Sequence, residues 1–168
     1  MRDDITPALQ AIRERLSYSL RVAGCYVIGS QAPRREGMAL PTRELQIAYQ
    51  SSAFGAPRRD RPVIQDRMLR FELTLRVKGG SQIAHPLLTL TRDLLTGFSG
   101  GWEYPGYMEK EGFLGVDEQQ YHIYAQLYVA PTRYYEEAPY LPLDTESGRI
   151  ALEEGGFLSL EEGGYLIQ

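Results

Sequence analysis

The residues able to do chemistry are few and scattered. Cys25 is the sole cysteine, and His85 and His122 are the sole histidines. An internal disulfide and a Cys-based zinc site are therefore excluded, and a histidine-rich metal centre lacks the ligands. Cys25 falls in an apolar run with Tyr26, Val27 and Ile28, where it reads as a small buried hydrophobe and not as a nucleophile. His85 precedes Pro86 at a helix boundary, a place for local hydrogen bonding more than for proton transfer. His122 alternates with Tyr124 and Tyr128 on one face of a strand pattern. The acid pairs Glu109/Glu111 and Glu153/Glu154 would serve as general acid and base only in a pocket that drove their pKa values apart. Gly97-Phe-Ser-Gly-Gly101 approximates a nucleophile elbow, yet it follows a helix where an elbow needs a strand-to-helix turn. Phosphate-binding glycine loops of either common spacing are missing. The residues thus nominate no catalytic, cofactor-binding or metal-binding group, and the expectation is a protein that is not an enzyme.

Two other features point to binding. The basic stretch Pro57-Arg-Arg-Asp-Arg-Pro62, with Arg34, Arg35 and Arg43 upstream, has side chains suited to phosphates. Asp60 interrupts it, and no aromatics are interleaved as in a single-strand platform, so a solvated or subunit-contacting loop is the preferred reading. Twelve tyrosines are the more unusual count, because tyrosine buries a large surface at little entropic cost and is favoured at protein interfaces.

The elements that must carry these residues follow from periodicity. Thr6-Pro7 resembles an N-cap with proline at the first helical position, and Leu9, Ile12, Leu16 and Leu20 fall three or four apart, which predicts a helix over 6–18. Val22 and Cys25 to Ile28 predict a short strand, residues 44–50 a second and residues 68–78 a third. Residues 51–65, with Gly55, Pro57 and Pro62, predict a long polar loop. Gly79-Gly80 then gives way to a second helix from Ser81 through Leu95, closed at Gly97, with Pro86 predicting either an irregular first turn or a start nearer His85. After a glycine-rich piece around Trp102, residues 121–130 predict a last long strand. The expected fold is α+β, in the order α-β-β-β-α-β, with a mixed or antiparallel sheet and two helices on one face.

From Glu136 the composition turns to proline, glycine and acid, which divides the chain into a domain over 1–137 and an arm over 138–168. Within the arm Leu152-Glu-Glu-Gly-Gly-Phe-Leu-Ser159 and Leu160-Glu-Glu-Gly-Gly-Tyr-Leu-Ile167 repeat with a period of eight. Each unit reads as a short strand and a Gly-Gly turn. Strands this short bury little alone, so the arm is expected to add to a sheet supplied elsewhere.

At 168 residues the chain is sized for one core and an appendage. No apolar run approaches the roughly 18 residues that cross a bilayer, and residues 1–4 open no secretory pattern, so use without export is expected. Charge is divided along the chain: residues 34–78 hold ten basic and five acidic side chains, and residues 103–168 three basic and thirteen acidic. Such opposition suits head-to-tail contacts between copies or with a partner, although blocks of charge are more often solvated faces, which is the preferred reading.

Certain patterns resemble a known family. Ile47-Ala-Tyr-Gln-Ser-Ser-Ala-Phe-Gly55 before a polar loop, the strand Arg70-Phe-Glu-Leu-Thr-Leu-Arg76, the helix end Leu94-Leu-Thr-Gly-Phe98 and the strand over 121–129 are similar to the tail terminator, or tail-completion, proteins of Mu-like contractile bacteriophages. The resemblance spans roughly residues 5–133 and omits the arm. It implies a structural virion protein at the head-proximal end of the tail, assembled in the host cytoplasm. Such a protein forms a homohexameric ring, caps the tail tube and the sheath, and meets the head-tail connector or neck. Genomic DNA would pass only through the lumen, with no membrane and no cofactor involved. The expected interface residues are Phe54, Arg58, Arg59 and Arg61 in the loop, and Phe157, Leu158, Tyr165 and Leu166 in the arm. The alternatives are another neck or baseplate component, such as a connector or sheath initiator, and a small nucleic-acid-binding protein.

Overall fold

The computed structural model describes residues 5–29, 41–58 and 64–135, and four short strands at 143–144, 149–151, 157–160 and 166–167. Helix α1 (Ile5–Val22) buries Ala8, Ile12, Leu16 and Leu20, one residue per turn on a single stripe. Full burial of each Leu or Ile contributes on the order of 2 kcal/mol. The helix runs a turn beyond the expected end because its stop lies at Gly24. There φ is +74°, the Gly24 N–H donates to the Arg21 carbonyl at 3.0 Å, and the Cys25 N–H donates to the Leu20 carbonyl at 2.8 Å. This is a Schellman closure, which needs a residue tolerant of positive φ. Val22, expected in the first strand, is therefore helical and exposed.

Strands β1 (Tyr26–Gly29), β2 (Arg43–Phe54), β3 (Ile64–Val77), β4 (Tyr107–Val116) and β5 (His122–Tyr135) form one sheet in the order β1-β2-β3-β5-β4. The β1-β2 pair is parallel and the others antiparallel. Helix α2 (Ser81–Leu95) lies between β3 and β4 in the chain. The α+β class is as expected, with one added strand. β4 escapes the alternation test because it is bulged twice: Met108 and Lys110 face consecutive partners Tyr128 and Leu127, and Phe113 and Gly115 face Tyr124 and Ile123. Glu109 and Leu114 are the extra residues, and each resets the in-out pattern.

The loop expected over 51–65 is also shorter. β2 continues to Phe54 and β3 begins at Ile64, with a bulge between Tyr49 and Ser51 and an isolated bridge from Arg58 to Ile64. Ser51, Ser52 and Ala53 carry too little apolar surface to register as a strand in sequence.

Leu69, Phe71, Leu73, Leu75 and Val77 of β3 share one core with Leu45 and Ile47 of β2, Tyr124 and Tyr128 of β5, and the buried residues of both helices. Both helices therefore cover the same face. Pro86 sits inside α2 without interrupting it. Its missing N–H leaves the Gln82 carbonyl without its i+4 donor on the solvent side, where Gln82 and Pro86 are both exposed. The arm forms a separate four-stranded antiparallel sheet, β6 (Leu143–Asp144), β7 (Arg149–Ala151), β8 (Phe157–Leu160) and β9 (Leu166–Ile167), in sequential order.

Candidate functional site

The residues nominated for interfaces meet different fates. Phe54 ends β2 and is half exposed; the Arg67 guanidinium lies 5.3 Å from its ring centre, and Tyr134 meets it edge-on at 6.2 Å. Arg58 forms an exposed ion pair with Asp66 at 3.5 Å. Arg59, Arg61 and Tyr165 lie outside the described residues. Phe157 and Leu158 fall in β8 and Leu166 in β9, where the backbone alone is described.

Phe54 belongs to a larger constellation at one end of the sheet. Phe54, Arg67 and Thr132 form a cross-strand row, two pairs beyond the buried Leu69. Tyr49 and Ser52 hydroxyls share a 2.7 Å hydrogen bond, and Arg67 donates to Ser52 through Nε and Nη2. Arg133 donates to Glu103 at 2.8 Å and stands 5.2 Å from the Tyr104 ring centre. Tyr104, Tyr134 and Tyr135 are all exposed. Aromatics held rigid by arginines are the usual anchors of protein interfaces. The sequence reading found Phe54 and missed Tyr104, Arg67, Arg133, Tyr134 and Tyr135. For the last two, the adjacent pair Tyr134-Tyr135 just past a long strand was the available signal.

The opposite end of the sheet is locked by Arg76. Its Nη1 donates to Glu44 at 3.0 Å, its Nη2 donates to Asp117, and its guanidinium lies 4.8 Å from the Tyr121 ring centre. Tyr121 is buried and donates its hydroxyl to the Pro41 carbonyl. Asp117 also accepts from the Gln119 and Tyr121 amides at 3.0 and 2.9 Å. The hydrogen bond from Arg76 holds the Asp117 carboxyl below the usual carboxylate range. These bonds staple β2, β3 and the turn between β4 and β5.

The residues weighed for chemistry stay apart. Cys25 is fully buried, and desolvation pushes its thiol up to about 11. His85 is exposed on α2 beside Tyr124, and His122 stacks near Phe113. Glu109 is clamped in a two-pronged pair with Arg70 at 3.0 and 3.1 Å. Glu111 instead accepts from Gln126 at 2.6 Å. Ser99 donates to the Trp102 carbonyl, so it serves the loop after α2. Among the described residues no three His, Cys, Asp or Glu side chains gather to hold a metal, and no helix is long and apolar enough to cross a membrane.

The chain matches no protein-family model and no curated protein.

Proposed function

We propose that this chain is a structural phage protein, a ring-forming tail terminator that caps the tail tube and sheath of a contractile tail and joins it to the neck. The observation that carries the reading is the aromatic end of the sheet. The β2-β3 hairpin carries Phe54, Arg67 and Arg58 at its open end, with Tyr134 beside Phe54 on β5. The motifs behind the resemblance also have structural work there. Tyr-Gln-Ser-Ser-Ala-Phe-Gly spans the β2 bulge and leads into the hairpin loop, and Leu-Thr-Gly-Phe ends α2, with Gly97 at φ +78°.

In this reading the hairpin tip contacts a neighbouring subunit or the last ring of the tube, and the arm meets sheath or a neighbouring terminator. The pairing of Arg58 with Asp66 disfavours the nucleic-acid alternative for that residue, because a phosphate would have to displace a carboxylate. Electron microscopy of tails assembled with the Phe54→Glu and R58E/R59E/R61E variants tests the reading. Tails of uncontrolled length are expected; tails of normal length would overturn it.

A further inference from the structure

The four strands of the arm divide their residues by chemistry. Leu143, Ile150 and Leu158 stand opposite one another across β6, β7 and β8, and Leu160 stands opposite Leu166 across β8 and β9. Leu158 and Leu160 are two apart on β8, so the five belong to one face of the sheet. Asp144, Arg149, Ala151, Phe157, Ser159 and Ile167 belong to the other. One face is therefore wholly aliphatic, and the only charged residues in these strands, Asp144 and Arg149, are opposite each other on the second face. The repeat produces this division. Ile150, Leu158 and Leu166 are the same position of successive eight-residue units, and an even period in these registers keeps that position on one face. A single layer of strands two to four residues long has to bury such a face against a second layer.

That second layer must be flat and equally aliphatic, and the domain offers no such surface among the described residues. No helix or strand of the domain forms a layer with the arm. The sheet face opposite the helices carries Arg70, Glu72, Thr74 and Arg76 of β3, which alternate with buried apolar residues. Arg70 is fixed in an ion pair with Glu109, and Arg76 in pairs with Glu44 and Asp117. An aliphatic cover would strip water from those pairs and replace it with nothing. The outer side of α1 exposes Arg13, Glu14 and Arg21. Of the large hydrophobics that the domain exposes, only Val22, Leu114 and Val116 are aliphatic, the first on α1 and the others on β4. The surface that matches the aliphatic face of an arm is the same face of another arm.

We infer that the arm is an association module, in which the aliphatic faces of two arms pack on each other as a two-layered β-sandwich and join two copies of the chain. The contact is isologous, with one face serving both sides, and the layers stand about 10 Å apart. Charge opposes it. Residues 138–168 hold six acids against Arg149, so two arms repel, and salt that screens the repulsion strengthens their contact. An acidic arm docked on the basic middle of the chain would respond to salt in the opposite sense. Residues 136–142 separate β5 from β6 and span up to about 25 Å, which lets the arms of adjacent subunits meet. The pairing goes beyond the tail reading and does not depend on it; within a ring it ties neighbours together outside the domain.

Cross-linking of the full-length protein tests the pairing, with the wild type as control because its one thiol, Cys25, is buried. In Leu158→Cys a bis-maleimide about 10 Å long should join two copies. The yield should rise as sodium chloride goes from about 0.01 to about 1 M, where the screening length falls from about 30 to about 3 Å. Ser159→Cys, on the other face, should give roughly tenfold less. Adding Ile150→Lys to Leu158→Cys should abolish the cross-link even though it reduces the negative charge of the arm, and adding Ala151→Lys, on the opposite face, should spare it. Equal yields from the two faces, loss in both lysine variants, or a yield that falls as salt rises would overturn the pairing, the last assigning the arm to the basic part of the chain. Absence of the cross-link in Leu158→Cys while light scattering shows the copies associated would also overturn it and give the face to the domain or to another protein. Cross-linked dimers that never close into rings, alone or on tails, would leave the pairing standing and sink the ring reading.

Discussion

The phenol of Tyr128 lies over Gly106, where any Cβ would overlap its ring and hydroxyl. That hydroxyl donates to the Phe98 carbonyl at 3.1 Å, so β5, the end of α2 and the start of β4 converge on one side chain. Gly106→Ala is expected to destabilise by about 1–3 kcal/mol, as overpacking at a closed site does. Tyr128→Phe should cost about 1 kcal/mol by removing one of two donors to the Phe98 carbonyl, which keeps the Gly106 amide at 2.9 Å. In the double variant the two costs should not add. Urea denaturation of the three proteins measures all of this, and an unchanged midpoint for Gly106→Ala would contradict the packing described.

A second expectation concerns acid. The Asp117 carboxyl is held below its ordinary value by Arg76, and that of Glu109 by Arg70. A carboxylate depressed in the folded state contributes stability that is present above its unfolded pKa and is lost as pH falls through the folded one. Melting temperature should therefore fall as pH drops below about 4, and the fall should be shallower in Asp117→Asn. An equally steep acid limb in that variant would show that the pairing is not linked to folding.

The third concerns the arm. The two sheets share no strand, so removing residues 138–168 should leave cooperative unfolding of the remainder with its midpoint little changed. Tubes should still be capped by this truncated protein while sheath binding weakens. If the truncated chain unfolds, the arm belongs to the core.

Much of this architecture was legible because burial writes a period into sequence. α1 and α2 repeat at three and four, and β3 and β5 alternate over long stretches. Where a bulge shifts the alternation the signal fails, which is why β4 went unread behind Glu109 and Leu114. Small side chains erased the second half of β2 for the same reason. Of the proposed contacts, Phe54 was visible as a large apolar residue beside a polar loop. Val22 was misplaced because nothing before Gly24 marks the end of the helix.

The corner where α1 turns into β1 carries its own reporter of local opening. Cys25 sits under the closure of α1, fully enclosed, and is the only thiol in the sequence. A disulfide reagent cannot reach it until the corner parts from β2, so the rate of modification becomes a clock for that opening. With no second thiol to confuse the signal, the reaction should run in a single phase. Its rate should rise in Gly24→Ala, because the closure of α1 holds that residue at φ +74°.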